Sequence, residues 1–155
     1  MKRFTYWPQL FLGITFNYGL ILGWTSIAGE INIIPIILYC GAIFWTLGYD
    51  TIYGFQDIKD DEMIGVKSTS IKFKKNPKIF LSMCYLIFFF AILSVGYLMN
   101  LNVIFYLFLV FVLIHLFVYQ IRFFNSKNSL DCFKIFKSNN VIGLIILANI
   151  LIGKI

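Results

Sequence analysis

Tyr49-Asp50-Thr51-Ile52-Tyr53-Gly54-Phe55-Gln56-Asp57-Ile58-Lys59-Asp60-Asp61-Glu62 interrupts a chain that is otherwise rich in hydrocarbon. An apolar run beginning at Ile33 leads into it, and Gly65-Val66-Lys67-Ser68-Thr69 follows it closely. Five of the seven acidic residues lie in this stretch, although 60% of the chain is hydrophobic and only 13% is charged. Carboxylates placed this close to the end of a bilayer-length run need compensation. A bound divalent cation that also holds a phosphorylated lipid supplies it.

Working outward, a mean hydropathy of +0.85 excludes an ordinary soluble domain. A helix crosses the hydrocarbon core with about 20 apolar residues. Residues 9–28, 33–55, 79–99 and 103–124 meet that length, and a shorter run at 139–152 extends back through Phe133 and Phe136. The pattern predicts an all-α polytopic membrane bundle of five transmembrane helices, a single transmembrane domain over residues 1–155 without a soluble module. Lys2 and Arg3 form a basic start, but no small-residue cleavage site follows the first apolar run, so it reads as a span rather than a leader.

The basic residues orient the bundle. Lys2 and Arg3 precede the first span, six lysines lie between the second and third, and Arg122, Lys127, Lys134 and Lys137 lie between the fourth and fifth. Only Lys154 falls on the other side. The positive-inside rule makes the basic side cytoplasmic, with the acidic stretch there and the C-terminus outside. Anionic head groups account for the net charge of +6, and the dispersal of these residues over three loops argues against nucleic acid. Cys40, Cys84 and Cys132 have no metal-ligand spacing, and Cys40 and Cys84 read as small apolar fillers. His115, alone in the fourth span, reads as a satisfied core histidine rather than a proton relay. The many span aromatics pack the core or face lipid, and some of them suit the wall of a channel for an unsaturated isoprenoid chain.

If the second span continues as a helix through the acidic stretch, Asp50, Asp57 and Asp61 share one stripe. Asp57 and Asp61 are then surface neighbours at i and i+4, and their mutual repulsion is relieved by a hard cation. Mg²⁺ takes one or two carboxylates together with substrate phosphates, so this pair makes half of a Mg²⁺–diphosphate site. A prenyl diphosphate held there loses its leaving group once the developing charge is neutralised. Arg3 and Lys67 are candidates for further phosphate contacts, and the apolar spans would keep water from the allylic cation. Against this stands a solvated loop whose acids offset its lysines, since an isolated DxxxD is weak.

The longer string is more specific. Asp50-Thr51-Ile52-Tyr53, Asp57, Asp60-Asp61 and Ile64-Gly65-Val66-Lys67-Ser68-Thr69 resemble the second aspartate-rich motif of the UbiA superfamily of intramembrane prenyltransferases. The opening Met1-Lys2-Arg3-Phe4-Thr5-Tyr6-Trp7-Pro8-Gln9 is similar to an internal segment of the 4-hydroxybenzoate polyprenyltransferase branch. Cys132-Phe133-Lys134 and Asn139-Asn140-Val141-Ile142-Gly143 resemble the family's C-terminal pattern. The resemblance runs end to end. It implies transfer of a polyprenyl group from polyprenyl diphosphate to the ring carbon ortho to the phenol of 4-hydroxybenzoate, in ubiquinone biosynthesis. It implies Asp57 and Asp61 as catalytic Mg²⁺ ligands, and Arg3, Asp50, Tyr53 and Lys67 as contacts to diphosphate or ring. It further implies residence in a bacterial inner (cytoplasmic) membrane, among membrane lipids, with the active-site loop cytoplasmic.

The same resemblance carries a departure. Family members have about nine helices and two acidic motifs, whereas here the first motif is absent and five spans match the last five. Met1 stands where the family has an interior methionine. The expectation is a C-terminal fragment of a larger enzyme, from a truncated, split or mis-started gene, inactive as an isolated half. The alternative is a non-catalytic membrane subunit that assembles with a separate N-terminal half. A small cation carrier is disfavoured because no acid sits deep in a span. A CDP-alcohol phosphatidyltransferase is disfavoured because its Asp-Gly-Ala-Arg signature is missing.

Overall fold

The computed structural model describes residues 1–155. It is all-helical, and five stretches are long and apolar enough to cross a membrane: Pro8–Ala28, Ile33–Gly54, Pro77–Leu98, Val103–Arg122 and Ser129–Gly153. The first is two helices, α1 (Pro8–Asn17) and α2 (Gly19–Ala28), joined at Tyr18. Beside that joint the Asn17 amide donates to Gly13 O, Ala42 O and Thr46 Oγ1, which satisfies a polar group at membrane depth. The second span is α3 (Ile33–Gly54), whose first turn is capped by Asn32 Oδ1 accepting from the Ile34 N–H at 3.0 Å.

Two short helices, α4 (Ile58–Ile64) and α5 (Thr69–Lys72), form the first long loop. The third span, α6 (Pro77–Leu98), opens on a proline, where the missing N–H costs nothing. The fourth is α7 (Val103–Ile114) prolonged by a π-helical stretch over His115–Arg122. The last, α8 (Ser129–Gly153), begins ten residues earlier than the apolar run indicates. Asn128 Oδ1 caps it by accepting from Leu130 and Asp131, so the polar segment 134–140 is helical too.

The core lies between α3 and α6, flanked by α1 on one side and α7 and α8 on the other. Gly41 and Gly48 allow the close approach: a Cβ at 41 would strike Ala91, and one at 48 would strike the Tyr85 ring. Leu47, Leu81, Phe88, Ile92, Phe105, Leu109 and Leu116 fill the centre. Several polar groups within the bundle satisfy one another. Tyr85 Oη donates to Gln120 Oε1, while Gln120 Nε2 and Trp45 Nε1 both donate to Asn139 Oδ1, at 2.9 and 3.0 Å. This joins α3, α6, the π-helical stretch and α8. His115 has a partner, its Nε2 lying 3.1 Å from Ser138 Oγ. Cys84 and Cys132 are buried, but Cys40 is exposed on the bundle's side rather than filling its core.

The turns at one end are short. Gly29 at φ +73° and Asn100 at φ +50° close them in the left-handed region, and Asn102 N–H donates to Gly153 O at 2.8 Å across that end. The opposite end carries the two long loops and twelve of the thirteen basic residues. There Lys67 N–H donates to Lys2 O at 2.6 Å, drawing the N-terminal segment onto the first loop.

Candidate active site

The acidic stretch is not one helix. α3 stops at Gly54, and Phe55 turns inward, 3% exposed, with its ring 5.3 Å from that of Phe124 in the second long loop. Asp57 then becomes the residue preceding α4. The expected continuous stripe through Asp50, Asp57 and Asp61 therefore does not form. Burial of Phe55 outweighs the local tendency to continue the helix. The i, i+4 relation of Asp57 and Asp61 survives inside the new turn, where the Asp61 N–H donates to Asp57 O at 2.9 Å.

The bend brings all three aspartates to one cavity. It measures about 230 Å³ and is lined by Lys2, Gln9, Asp50, Tyr53, Gly54, Asp57 and Asp61. Lys2 Nζ lies 3.2 Å from Asp61 Oδ2, and Asp61 is only 13% exposed there. Asp50 and Asp57 make no side-chain hydrogen bond or ion pair, which leaves two carboxylates with unused acceptor capacity. No three His, Cys, Asp or Glu side chains come close enough to cage a metal by themselves. The donor set suits a hard cation that takes one or two carboxylates and completes its shell with phosphate and water.

A buried polar frame holds the cavity open. Thr51 Oγ1 and Thr69 Oγ1 are 2.7 Å apart, Ser70 Oγ donates to Thr51 O at 2.8 Å, and the Thr69 N–H donates to Gln9 Oε1 at 3.1 Å. Ser68, Thr69, Ser70, Thr51 and Gln9 are all buried. Gly54 has no room for a side chain, since a Cβ there would collide with Ser70 Oγ. The Lys67-Ser68-Thr69 segment is thus pinned to α1 and α3 by hydrogen bonds that water cannot replace.

Of the residues singled out from sequence, Asp50, Tyr53, Asp57 and Asp61 meet in the cavity. Arg3 is exposed and does not line it, and Lys67 places its ammonium 5.5 Å from the centre of the Tyr6 ring, also outside the lining. Asp60 is exposed and outside it. Besides Gly54, two lining residues were missed, Lys2 and Gln9. Lys2 had the same sequence signal as Arg3, and Gln9 stood out only as an amide at the head of an apolar span.

A second, aromatic cavity of about 610 Å³ lies among the spans. Phe16, Trp45, Tyr49 and Phe136 line it, with Asn17, Asn139 and Asn140. Tyr53, which lines the acidic cavity, has its ring 4.8 Å from that of Phe136, which lines the aromatic one. A charged mouth above an aromatic groove can hold an amphiphile with an anionic head and an apolar tail.

Residues 1–144 match the model of the UbiA prenyltransferase family. The chain belongs to that family. Over 154 residues it is 42% identical to the mitochondrial 4-hydroxybenzoate polyprenyltransferase of Drosophila melanogaster, an alignment covering 99% of this chain and 39% of the relative. It is 42% identical over 156 residues to the Bos taurus protein of the same name, covering 100% of this chain and 42% of that one. A 4-hydroxybenzoate geranyltransferase of Lithospermum erythrorhizon is 39% identical over 158 residues, covering 100% of this chain and 51% of its own length. The UbiA-family chain thus spans 39% to 51% of the length of these relatives. No solved structure matches it.

Proposed function

We propose that this chain is the portion of a 4-hydroxybenzoate polyprenyltransferase that carries its second acidic motif, corresponding to the last five of nine helices. The complete enzyme would transfer a polyprenyl group from polyprenyl diphosphate to 4-hydroxybenzoate. The bond between the allylic carbon and the diphosphate oxygen breaks, a bond forms to the ring carbon ortho to the phenol, and that carbon loses its proton. The observation that carries this reading is the meeting of Asp50, Asp57, Asp61 and Lys2 in one cavity, whose Tyr53 touches Phe136 of an aromatic groove, in a chain of this family.

Asp57 and Asp61 are the residues proposed to hold Mg²⁺. When bound, the cation neutralises charge on the departing diphosphate. Lys2, already at Asp61, is placed to contact phosphate as well. Asp50 and Tyr53, on the last turns of α3, line the same cavity and are proposed to contact the diphosphate or the ring. Phe16, Trp45, Tyr49 and Phe136 would hold the isoprenoid tail and exclude water from the allylic carbon. The Thr51–Thr69–Ser70–Gln9 frame keeps the acidic loop in register with this groove.

The groove has one open flank. Asn140, midway along α8, is exposed beside it, a polar group that hydrocarbon does not satisfy. This supports an arrangement in which further helices close the flank, so that residues 1–155 alone give no turnover. The basic end of the bundle is assigned to the cytoplasmic face, which brings the acidic loop to the side with Mg²⁺ and soluble 4-hydroxybenzoate. The test is to assay membranes containing this chain alone, and membranes containing it with a separately expressed N-terminal half from a relative. Both receive 4-hydroxybenzoate, a polyprenyl diphosphate and Mg²⁺. Product only in the paired sample supports the proposal; robust product from the chain alone overturns the half-enzyme reading, and none from either overturns the activity.

A further inference from the structure

On the other flank of α4 lies a cavity of about 510 Å³ with opposite chemistry. Its polar lining is Gln56, Lys59, Lys74, Ser126, Lys127 and Ser129, and the other lining residues, Phe55 and Ile58, are apolar. No acidic residue lines it. Lys74 is shared with Glu62, its Nζ 2.8 Å from both carboxylate oxygens. The chain's ion pairs are Lys2–Asp61 and Lys74–Glu62, so Lys59 and Lys127 reach this cavity unpaired. Gln56 Oε1 is buried and has no hydrogen-bond partner. An acceptor in that position asks for a donor that the protein does not supply.

We propose that this cavity binds a phosphate ester bearing a neighbouring hydroxyl group. Two free ammonium groups and a third partly offset one would receive the phosphate, with the Ser126 and Ser129 hydroxyls as donors. The ligand hydroxyl would satisfy Gln56 Oε1. The cavity sits where α3 ends and α8 begins, at the edge of the spans, the depth of a lipid head group. The head group of phosphatidylglycerol has this chemistry, and so does soluble glycerol phosphate. The site shares no lining residue with the acidic cavity and is independent of the transferase proposal.

The test is a binding titration on the purified 155-residue chain in neutral detergent, read by its thermal unfolding midpoint. The additives are short-chain phosphatidylglycerol, short-chain phosphatidylcholine, glycerol phosphate and inorganic phosphate. Phosphatidylglycerol should stabilise saturably and phosphatidylcholine should not. Lys59→Gln or Lys127→Gln should each weaken that affinity about fivefold, and the double variant roughly 25-fold. Lys75→Gln/Lys137→Gln, which removes two lysines from the same end but outside the cavity, should leave it unchanged. Gln56→Leu should weaken phosphatidylglycerol about fivefold and leave inorganic phosphate as it was. Glycerol phosphate that saturates the site as tightly as the lipid identifies a soluble ester as the ligand; a response to the lipid alone identifies the head group. Equal stabilisation by phosphatidylglycerol and phosphatidylcholine overturns the proposal. So does wild-type affinity in Lys59→Gln/Lys127→Gln, or an equal loss in the control pair.

Discussion

The two polar cavities at the basic end share one short helix and hold opposite charge. Asp57 and Asp61 of the α4 segment face one of them, and Ile58 and Lys59 face the other. A helix turns about 100° per residue, so neighbours along the chain serve different faces. The difference lies in how each cavity is supported. The acidic one is backed by buried hydrogen bonds from Gln9, Thr51, Thr69 and Ser70. The basic one is walled by exposed lysines and retains an unsatisfied acceptor on Gln56. A rigid frame around underused carboxylates fits a site in which geometry matters; flexible lysines around a larger space suit an anion held mainly by charge.

The largest expected effect separates chemistry from framework. In the paired, active assembly, Asp57→Ala or Asp61→Ala should lower turnover roughly 100-fold or more, the scale of losing a group that stabilises transition-state charge. Asp60→Ala should stay within about threefold, since Asp60 is exposed and outside the cavity. The assay is initial rate at saturating substrates across a Mg²⁺ titration. Near-normal rates in both Asp57→Ala and Asp61→Ala would remove the acidic cavity from the chemistry and leave the two cavities equivalent surface features.

Next comes the frame. Gly54→Ala forces a Cβ onto Ser70 Oγ and should cost about 1–3 kcal/mol as an overpacked contact. Its unfolding midpoint in detergent should fall, and limited proteolysis should begin within residues 65–72. Unchanged stability and cleavage would mean that the loop is not pinned as described. Asn139→Leu should follow, at about 1–2 kcal/mol, because it leaves the Trp45 and Gln120 donors without their shared acceptor. Asn140→Leu, exposed on the same helix, should be neutral or stabilising in the chain alone. A smaller loss for Asn139→Leu than for Asn140→Leu would invert the picture of which amide supports the bundle.

The smallest effect concerns the charge that enters the acidic cavity. Lys2→Met should cost under about 1 kcal/mol, because Lys2 is half exposed and the pair is partly screened by water. The loss should shrink as salt rises from low to physiological concentration. Thermal midpoints at two ionic strengths measure it. A larger, salt-independent loss would show that Lys2 is held as rigidly as the Thr51–Thr69 frame.

Much of this was legible without coordinates. Four apolar runs were long enough to read as spans and a shorter fifth was legible beside them, and the basic residues sorted themselves to one end because the N-terminal segment and both long loops carried the same bias. The Asp57–Asp61 relation was legible because it lies within a single turn. The helix break before it was not, because its cause is Phe124, nearly seventy positions away, packing on Phe55. The choice of Lys2 over Arg3 depends on a main-chain bond from Lys67 that seats the N-terminal segment. The true start of α8 was hidden by Lys134, Lys137, Ser138, Asn139 and Asn140, which interrupt its apolar pattern, although the Asn128-Ser129 cap is a local signal.

What the sequence determined by itself follows from solvent. Hydrocarbon tolerates only internally bonded backbone, so long apolar runs become helices wherever they pack. The spans, their alternation and the charged end therefore need no tertiary information. What only the tertiary structure decided is which polar groups share a cavity. That depends on where buried side chains such as Phe55 and Gln9 find partners from distant segments, and on the absence of space at Gly54. Those contacts bend the acidic stretch around its frame, and the bend, rather than one helical stripe, gathers Asp50, Asp57 and Asp61 in one cavity.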